Sequence, residues 1–400
     1  MCYKSLLAVT NYDIIAENGG LEDEMKETGE LRNQLKAIRT RLGLSQQELA
    51  LSAGVARQTI GGIENGDYAP SAAVALRLAK ALDCRMEDIF WLEAEDILLE
   101  AVPAEPFPLD GPTRVTLAKI GERWIARPLH GASAFRAEMV PADGVGTANP
   151  DGKTVSARLL DDPETLGRSA VLTGCAPALS LWARSAEQWQ PGLRVHWIHR
   201  NSTVALESLA RGEVHGAGLH LFDAVTGESN LPFARRALSG RRAVLVHLGV
   251  WDEGLVVAAG NPKRLLSASD LAQAGVTLIN RESGAGSRLL LDDELNAARI
   301  PNSAVAGYDL CAGSHQEVAI AVASGRADAG ISAASVAAAY GLGFVPLRRV
   351  RYDVAFLEAY LEHEAVKQLL NALTRGRARS QLALLGGYDT TMTGEVTAVA

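Results

Sequence analysis

The chain reads as a multidomain protein: an all-α head of five short helices, a small β-containing connector, and a two-lobed α/β body. Three observations predict that class. Apolar residues recur at helical spacing from Leu31 to Phe90, broken by Gly43 and Gly54 where the chain must turn. Short alternating runs follow the Pro-containing stretch EAEDILLEAVPAEPFPLDGP. From Ser169 onward, strand-like and helix-like segments alternate.

Bulk composition limits the function. With 400 residues, 48% hydrophobic and 22% charged, the chain has material for two or three cores. The formal charge of -8 excludes a surface basic all over, so nucleic-acid contact has to come from a local face. Cys2, Cys84, Cys175 and Cys311 lie far apart without a CxxC pair, and neither a zinc nor a disulfide framework is expected. The opening MCYKSLLAVTNYDII lacks the apolar core and cleavage site of a signal peptide. No run approaches the ~20 apolar residues of a membrane span. A cytoplasmic protein without membrane contact is the expectation. Residues 1–28 carry no usable period and read as a disordered tail, with Met25 an alternative start to Met1.

The head occupies residues 29–94. Leu31, Leu35, Ile38 and Leu42 fall on one face of a first helix, which Gly43 ends. Ser45 caps a second, with Glu48 completing a capping box; a third runs from about Ala56 to Glu64. Ser71 caps a fourth, whose Ala75, Leu78, Ala79 and Leu82 face inward, and Met86, Ile89 and Phe90 suit a closing fifth.

With SQQELALSAGVARQTIGGIENG at its centre, residues 30–92 resemble the Cro/C1-type (XRE-family) helix-turn-helix. The resemblance implies double-stranded operator DNA as partner, bound by a homodimer. The second helix would cross the phosphate backbone and the third would enter the major groove. The implied contact set is Ser45, Gln46, Arg57, Gln58, Thr59 and Asn65, with Arg39 and Arg41 adding phosphate contacts. Arg57 can fork onto a guanine and Gln58 onto an adenine, each contact worth about 1–3 kcal/mol of discrimination. Gly61 and Gly62 stand where relatives carry long polar side chains, which concentrates base reading on Arg57, Gln58 and Thr59. A helical bundle used for protein contact is the bland alternative.

Residues 95–168 form the connector, with a hairpin turning near Gly121, further short strands around FRAEMVPADG and KTVSARLL, and Trp124 as core. The body spans 169–390, and 391–400 reads as a tail. In it SAVLTG, RVHWIH and VHGAGLHLF are strands, and CAPALSLWARSAEQ and STVALESLARG are helices. A second unit repeats the arrangement through VTLINR, the SGAGSR loop, a long helix and SHQEVAIAVASGRADAGIS. Ligands of open α/β sheets sit at strand carboxyl ends against helix N-termini, which singles out the loops at 174–176, 200–203, 218–220 and 283–288.

GCAPALSL, VHGAGLHLFDAVTGESNLP, GLVVAAGNP, NRESGAGSRLLLDDEL and GRADAGI, in that order, resemble the periplasmic-binding-protein-like (type II) domain of molybdate proteins. That domain occurs fused to helix-turn-helix regions and to molybdenum-cofactor enzymes. The resemblance implies a two-lobed ligand sensor, with molybdate or tungstate as effector and no cofactor or metal. The candidate ligand-binding residues are Cys175, Asn201, Ser202, Thr203, His220, Ser283, Gly284, Ala285, Gly286, Ser287 and Arg288. Amides of residues 284–287 can converge because Gly admits positive φ, and the helix dipole favours an anion there. Hydroxyls of Ser202, Thr203, Ser283 and Ser287 would donate. Arg288 either neutralises the ligand or pairs with Asp292. His220 and His315 read equally as core residues; Cys175 is either a lowered-pKa thiol at a helix start or a small buried one. Tyr308 and Tyr352 read as packing.

Three function classes compete. A Cys175 or Ser287 nucleophile with His220 or His315 as base would make an enzyme, but no nucleophile elbow, metal-ligand spacing or GK[ST] loop accompanies them. Transport suits the fold but not a DNA-binding head. A one-component regulator that senses a small ligand and is not an enzyme is the expected function, with another small metabolite, or molybdenum delivery to cofactor assembly, as alternatives.

Overall fold

A computed structural model describes residues 31–92, 97–108, 111–134 and 139–399. The expected tail 1–28 and the choice between Met1 and Met25 lie outside these residues. The chain divides into two units, one ending at Ile97 and the other beginning at Leu98.

In the first unit β1 (Leu31–Asn33) leads into α1 (Leu35–Arg41), α2 (Gln46–Ala53), α3 (Arg57–Asn65) and α4 (Ala72–Ala81), and the chain ends in β2 (Phe90–Leu92). The Ser45 side chain accepts from the Glu48 amide and Glu48 reaches back to the Ser45 amide, the expected capping box. Gly54 and Gly66 end α2 and α3 in the left-handed conformation. Leu35, Leu49, Ile60, Ile63, Leu78 and Ile89 meet in one core. Two local expectations need correction. The fifth helix is a single 3-10 turn, Met86–Asp88, after which Phe90–Leu92 pairs antiparallel with Leu31–Asn33. Leu31 is therefore a strand residue, and Leu42 is half exposed at the end of α1. The cause is tertiary: both ends of the head carry short β-capable segments that satisfy each other's backbone groups.

The second unit begins with a closed barrel of β3 (Leu98–Pro103), β4 (Thr113–Ile120), β5 (Arg123–Pro128), β6 (Gly144–Ala148) and β7 (Val155–Leu159). The β4–β5 hairpin turns at Gly121, and Trp124 is half buried rather than core. In β4 the run Val115–Ala118 is buried on both faces. Val115 and Leu117 fill the barrel, whereas Ala118 and Ile120 join the core of the neighbouring α/β lobe. Buried Asp143 accepts from the Leu117 amide at 2.7 Å and pairs with Arg194 of that lobe.

After α5 (Pro163–Gly167) comes the first lobe: β8 (Ser169–Thr173), α6 (Pro177–Trp189), β9 (Arg194–Ile198), α7 (Ser202–Arg211), β10 (Gly216–Leu219), the β11 (Phe222–Asp223) and β12 (Glu228–Ser229) ribbon, and α8 (Leu231–Ala237). A 15-residue strand, β13 (Ala243–Val257), carries the chain to the second lobe. There lie β14 (Leu278–Arg281), α9 (Gly286–Ala297), β15 (Cys311–Ala312), α10 (His315–Ala323), β16 (Ala329–Ala333) and α11 (Ala334–Ala339). A second 15-residue strand, β17 (Gly343–Leu357), returns antiparallel to β13, followed by α12 (Glu364–Leu373), α13 (Gly376–Ala383), β18 (Tyr388–Asp389) and β19 (Val396–Val399).

The strand order is β15-β14-β16-β13-β17-β10-β8-β9, so β13 and β17 run through both lobes. Their register slips twice, with Leu248 the extra residue on β13 and Leu347 the extra residue on β17. Bulges of this kind re-aim side chains, and Glu253 sits at the second slip. Residues 391–400, expected as a tail, contribute β19, which pairs with Ala243–Val246 of β13. Among the described residues no helix is long and apolar enough to cross a membrane.

Candidate functional site

On the head, Arg57 and Gln58 open α3 and are solvent exposed, as are Ser45, Arg41 and Asn65, while Thr59 is half buried. Arg39 and Gln46 are committed elsewhere. Arg39 forks onto the carboxylate of Glu64 at 2.6 and 3.0 Å and also donates to the Leu44 carbonyl at 2.7 Å. Gln46 donates to the same Glu64 at 2.9 Å. This pair holds α1, α2 and α3 together, so the phosphate role expected for Arg39 gives way to a structural one. Gly62 has its own reason: a Cβ there would lie 2.5 Å from the ring of Tyr68, whose hydroxyl donates to the Thr59 carbonyl at 3.2 Å. Tyr68 thus packs over α3 at Gly62, a contact invisible to helix periodicity.

In the body, the loops after β8, β9, β10 and β14 meet where the lobes adjoin. Cys175 precedes α6, Ser202 is the first residue of α7, His220 follows β10, Ser287 lies in the first turn of α9, and His315 opens α10. All five are buried. The His220 ring organises them: Nδ1 lies 3.4 Å from Cys175 Sγ and 3.3 Å from Ser202 Oγ. Its backbone amide donates to Ser202 Oγ at 3.2 Å. Nε2 faces Glu253 Oε1 at 3.6 Å, a charge contact too long for a hydrogen bond. Ser287 donates its hydroxyl to the same carboxylate oxygen. His315 lies 5.7 Å from His220, ring centre to ring centre, with its Nδ1 3.1 Å from Ser332 Oγ. Tyr352 stacks on His220, and a Cβ on Gly218 would stand only 2.0 Å from its hydroxyl.

Burial opposes charge on His220, but the neighbouring Cys175 and Glu253 outweigh it and lift the imidazole to about 10. Burial pushes Glu253 up, and the His220 charge with the Ser287 hydrogen bond more than reverse this, leaving it below the ordinary carboxylate range. His315 is held well below the usual imidazole value by burial and by the charge of Arg281, so it is neutral. Arg281 itself forks onto Glu282 at 2.9 and 3.0 Å. His220 Nε2, Glu253 Oε2, His315 Nε2 and Trp251 Nε1 are buried without hydrogen-bond partners. Each such group costs about 1–3 kcal/mol, and so many in one place mark a site kept for something other than stability.

The other expected residues divide. Thr203 donates its amide and its hydroxyl to the Gly284 carbonyl at 3.3 and 3.0 Å, and Asn201 donates to the Ser283 carbonyl at 3.2 Å. These bonds latch one lobe to the other at the exposed rim. Gly284 takes the expected positive φ, +87°, but the Ala285 amide is spent on the Glu282 carbonyl. Gly286 lies directly against His220. Arg288 faces away from the cluster, stacked 4.5 Å over Tyr308 and donating to the Arg281 carbonyl at 3.1 Å. Its expected partner Asp292 takes the Tyr308 hydroxyl at 2.5 Å instead. Glu253 was not singled out in the sequence; its one signal is an acidic pair, Asp252-Glu253, inside the apolar run AVLVHLGVWDEGLVV. A separate cavity of about 210 Å³ lies between the barrel and α7, lined by Arg127, Thr173, Arg200 and Arg211 among others. It is not part of the interlobe cluster.

Comparison with known proteins fits both units. Residues 35–89 match the helix-turn-helix family and residues 183–374 the PBP superfamily domain. The HTH-type transcriptional regulator YgzD of Bacillus subtilis (strain 168) is 48% identical over 66 residues, 16% of this chain and 100% of YgzD. YvgK of the same organism is 36% identical over 199 residues, 50% of this chain; the match spans 64% of YvgK's length. Among solved structures, a phosphate ABC transporter substrate-binding protein from Clostridium perfringens aligns over 57% of this chain and 100% of its own, at 11% identity and a TM-score of 0.44. The chain belongs to the HTH-type transcriptional regulators, and its residues 183–374 match the PBP superfamily domain.

Proposed function

We propose that this chain is a one-component regulator acting in the cytoplasm as a homodimer on a pseudo-palindromic operator, and that a small ligand held between the lobes alters its hold on DNA. The observation that carries the reading is the buried polar cluster in which Cys175, Ser202, Ser287 and His315, at helix starts of both lobes, surround His220 and Glu253, in a chain with a DNA-binding head. A ligand that binds there bridges the lobes, and any effect on operator affinity is matched by an equal effect of operator on ligand affinity.

Binding rather than catalysis is favoured by the surroundings of Cys175. The thiol, His220 and Glu253 stand in the order of nucleophile, base and acid, but Cys175 is only 2% exposed. The amides of Cys175 and Ala176, where an oxyanion hole would form, face the Tyr352 hydroxyl.

Molybdate or tungstate is the effector implied by the sequence resemblance, and the helix starts of α7 and α9 support an anion. Glu253 opposes a bare dianion, since its carboxylate lies in the cluster and takes the Ser287 hydroxyl that such an anion would need. A ligand bringing positive charge to Glu253 is the better fit.

Selection of binding sites from random duplex DNA, with wild type beside an Arg57→Ala, Gln58→Ala variant, tests the regulator reading. Wild type should enrich one motif and the variant should lose it; equal enrichment, or none by wild type, refutes operator reading and leaves the delivery alternative. A thermal-shift panel of molybdate, tungstate, sulfate and phosphate tests the oxyanion. A true effector at about 100 times its dissociation constant adds close to 3 kcal/mol.

A further inference from the structure

We propose that the interlobe cluster is a transition-metal site in which Cys175 Sγ and His220 Nδ1 from the first lobe and His315 Nε2 from the second bind one ion. This rests on reading the cleft as the effector site. The ligand atoms that these three buried residues offer lie within 4.8 Å of one another. For tetrahedral bonds of about 2.3 Å to sulfur and 2.0–2.1 Å to nitrogen, a ligand-to-ligand edge is about 3.5 Å. The Cys175 Sγ–His220 Nδ1 edge is already 3.4 Å, and one ligand atom from each of the three residues lies within 4.8 Å of the others, about 1.3 Å beyond a tetrahedral edge.

The surroundings are arranged for coordination. Glu253 stands behind His220 Nε2 at 3.6 Å, the place of the carboxylate that orients a metal-bound imidazole and leaves its other nitrogen for the ion. His315 is turned the opposite way: Nδ1 is set by Ser332, and Nε2 is buried and unpartnered. The charge of Arg281 is answered by Glu282, so the nearest guanidinium does not stand unpaired against a cation. A thiolate with two imidazoles selects zinc, copper, nickel or cobalt over magnesium and calcium. The ion displaces the thiol proton and any proton on His220, and its charge answers both Cys175 and Glu253. The fourth position falls to the Ser202 hydroxyl, 3.3 Å from His220 Nδ1, or to water.

Because Cys175 and His220 belong to one lobe and His315 to the other, the ion ties the lobes together as the rim latch does. That gives a metal ion a direct means of acting as effector.

The test uses the full chain, stripped with a chelator and titrated with Co2+. One equivalent should produce a near-ultraviolet thiolate-to-cobalt band and the intense visible bands of tetrahedral Co2+, both erased by Zn2+. Cys175→Ser should lose the thiolate band, His315→Gln the tetrahedral bands, and Glu253→Gln should bind about 10–100-fold more weakly. Cys311→Ser, at an exposed thiol outside the cluster, should match wild type. Far-ultraviolet circular dichroism checks that each variant is folded. Absence of stoichiometric Co2+ binding by wild type, or a thiolate band that survives Cys175→Ser in folded protein, overturns the site. Operator binding read in the same samples separates the two readings. A metal-loaded protein with unchanged operator affinity keeps the site and loses its effector role; a metal-blind protein stabilised by an oxyanion loses the site and keeps the effector reading.

Discussion

Gly286 is the position where one methyl group should part the lobes. A Cβ there would lie 2.2 Å from the His220 carbonyl oxygen and 2.7 Å from its ring, where ordinary contact begins at 3.4 Å. The start of α9 must therefore retreat by about 1.2 Å, and the obstacle is backbone, which cannot swing aside. The latch bonds from Thr203 and Asn201 are already 3.0–3.3 Å long and do not survive that displacement. At about 1 kcal/mol each, three lost bonds amount to about 3 kcal/mol, more than a hundredfold in the balance of closed to open lobes. Alanine regains up to about 1 kcal/mol of helix propensity, so Gly286→Ala should destabilise the body by about 2 kcal/mol. Urea unfolding followed by tryptophan fluorescence is suited to this, because five of the six tryptophans lie beyond residue 97. The decisive measurement is a double-mutant cycle. In wild type, Thr203→Ala should cost about 1 kcal/mol; in the Gly286→Ala background it should cost almost nothing, since the latch is already broken. Full additivity, or a Gly286→Ala protein of wild-type stability, would refute the wedge.

Two further outcomes follow from buried charge. Arg39→Ala strands the Glu64 side chain, only 1% exposed, with Gln46 as its remaining partner. Removing one member of such a pair costs about 3–5 kcal/mol, comparable with the whole stability of a head of this size, so the helical signal of the head and operator binding should vanish together. A folded Arg39→Ala head that merely binds DNA less tightly would instead return Arg39 to the phosphate-contacting set. Burial raises the Asp353 carboxyl, but hydrogen bonds from His247, Arg351 and Asn230 outweigh it and hold its pKa below the ordinary value of 3.8. The folded pKa is the lower one, so this stability is present above about pH 4 and is lost as pH falls through the folded value. Asp353→Asn should be less stable at neutral pH and lose less on acidification; curves that stay parallel down to acid unfolding would show that Asp353 is not the group responsible.

Most of what lies close in sequence was readable without the fold. Capping serines, turn glycines and three-to-four spacing located α1 to α4, because each signal is a contact within one or two helical turns. The cleft loops were found the same way: a strand, a small polar turn and a helix start are local events, and they brought Cys175, Ser202, His220 and Ser287 forward as neighbours. Tertiary structure decided the rest. Phe90–Leu92 is a strand because Leu31–Asn33 lies beside it, and Val396–Val399 is a strand because β13 offers an edge. Glu253 reaches the cluster because β13 runs through both lobes beside β17, and it sits where their register slips. Arg39, Gln46 and Arg288 looked available because sequence lists polar side chains without their partners, which stand 25, 18 and 7 residues away. The sequence by itself determined the elements and the chemistry in each loop; which atoms of two separate lobes share one buried site was decided only by the register of the strands that join them.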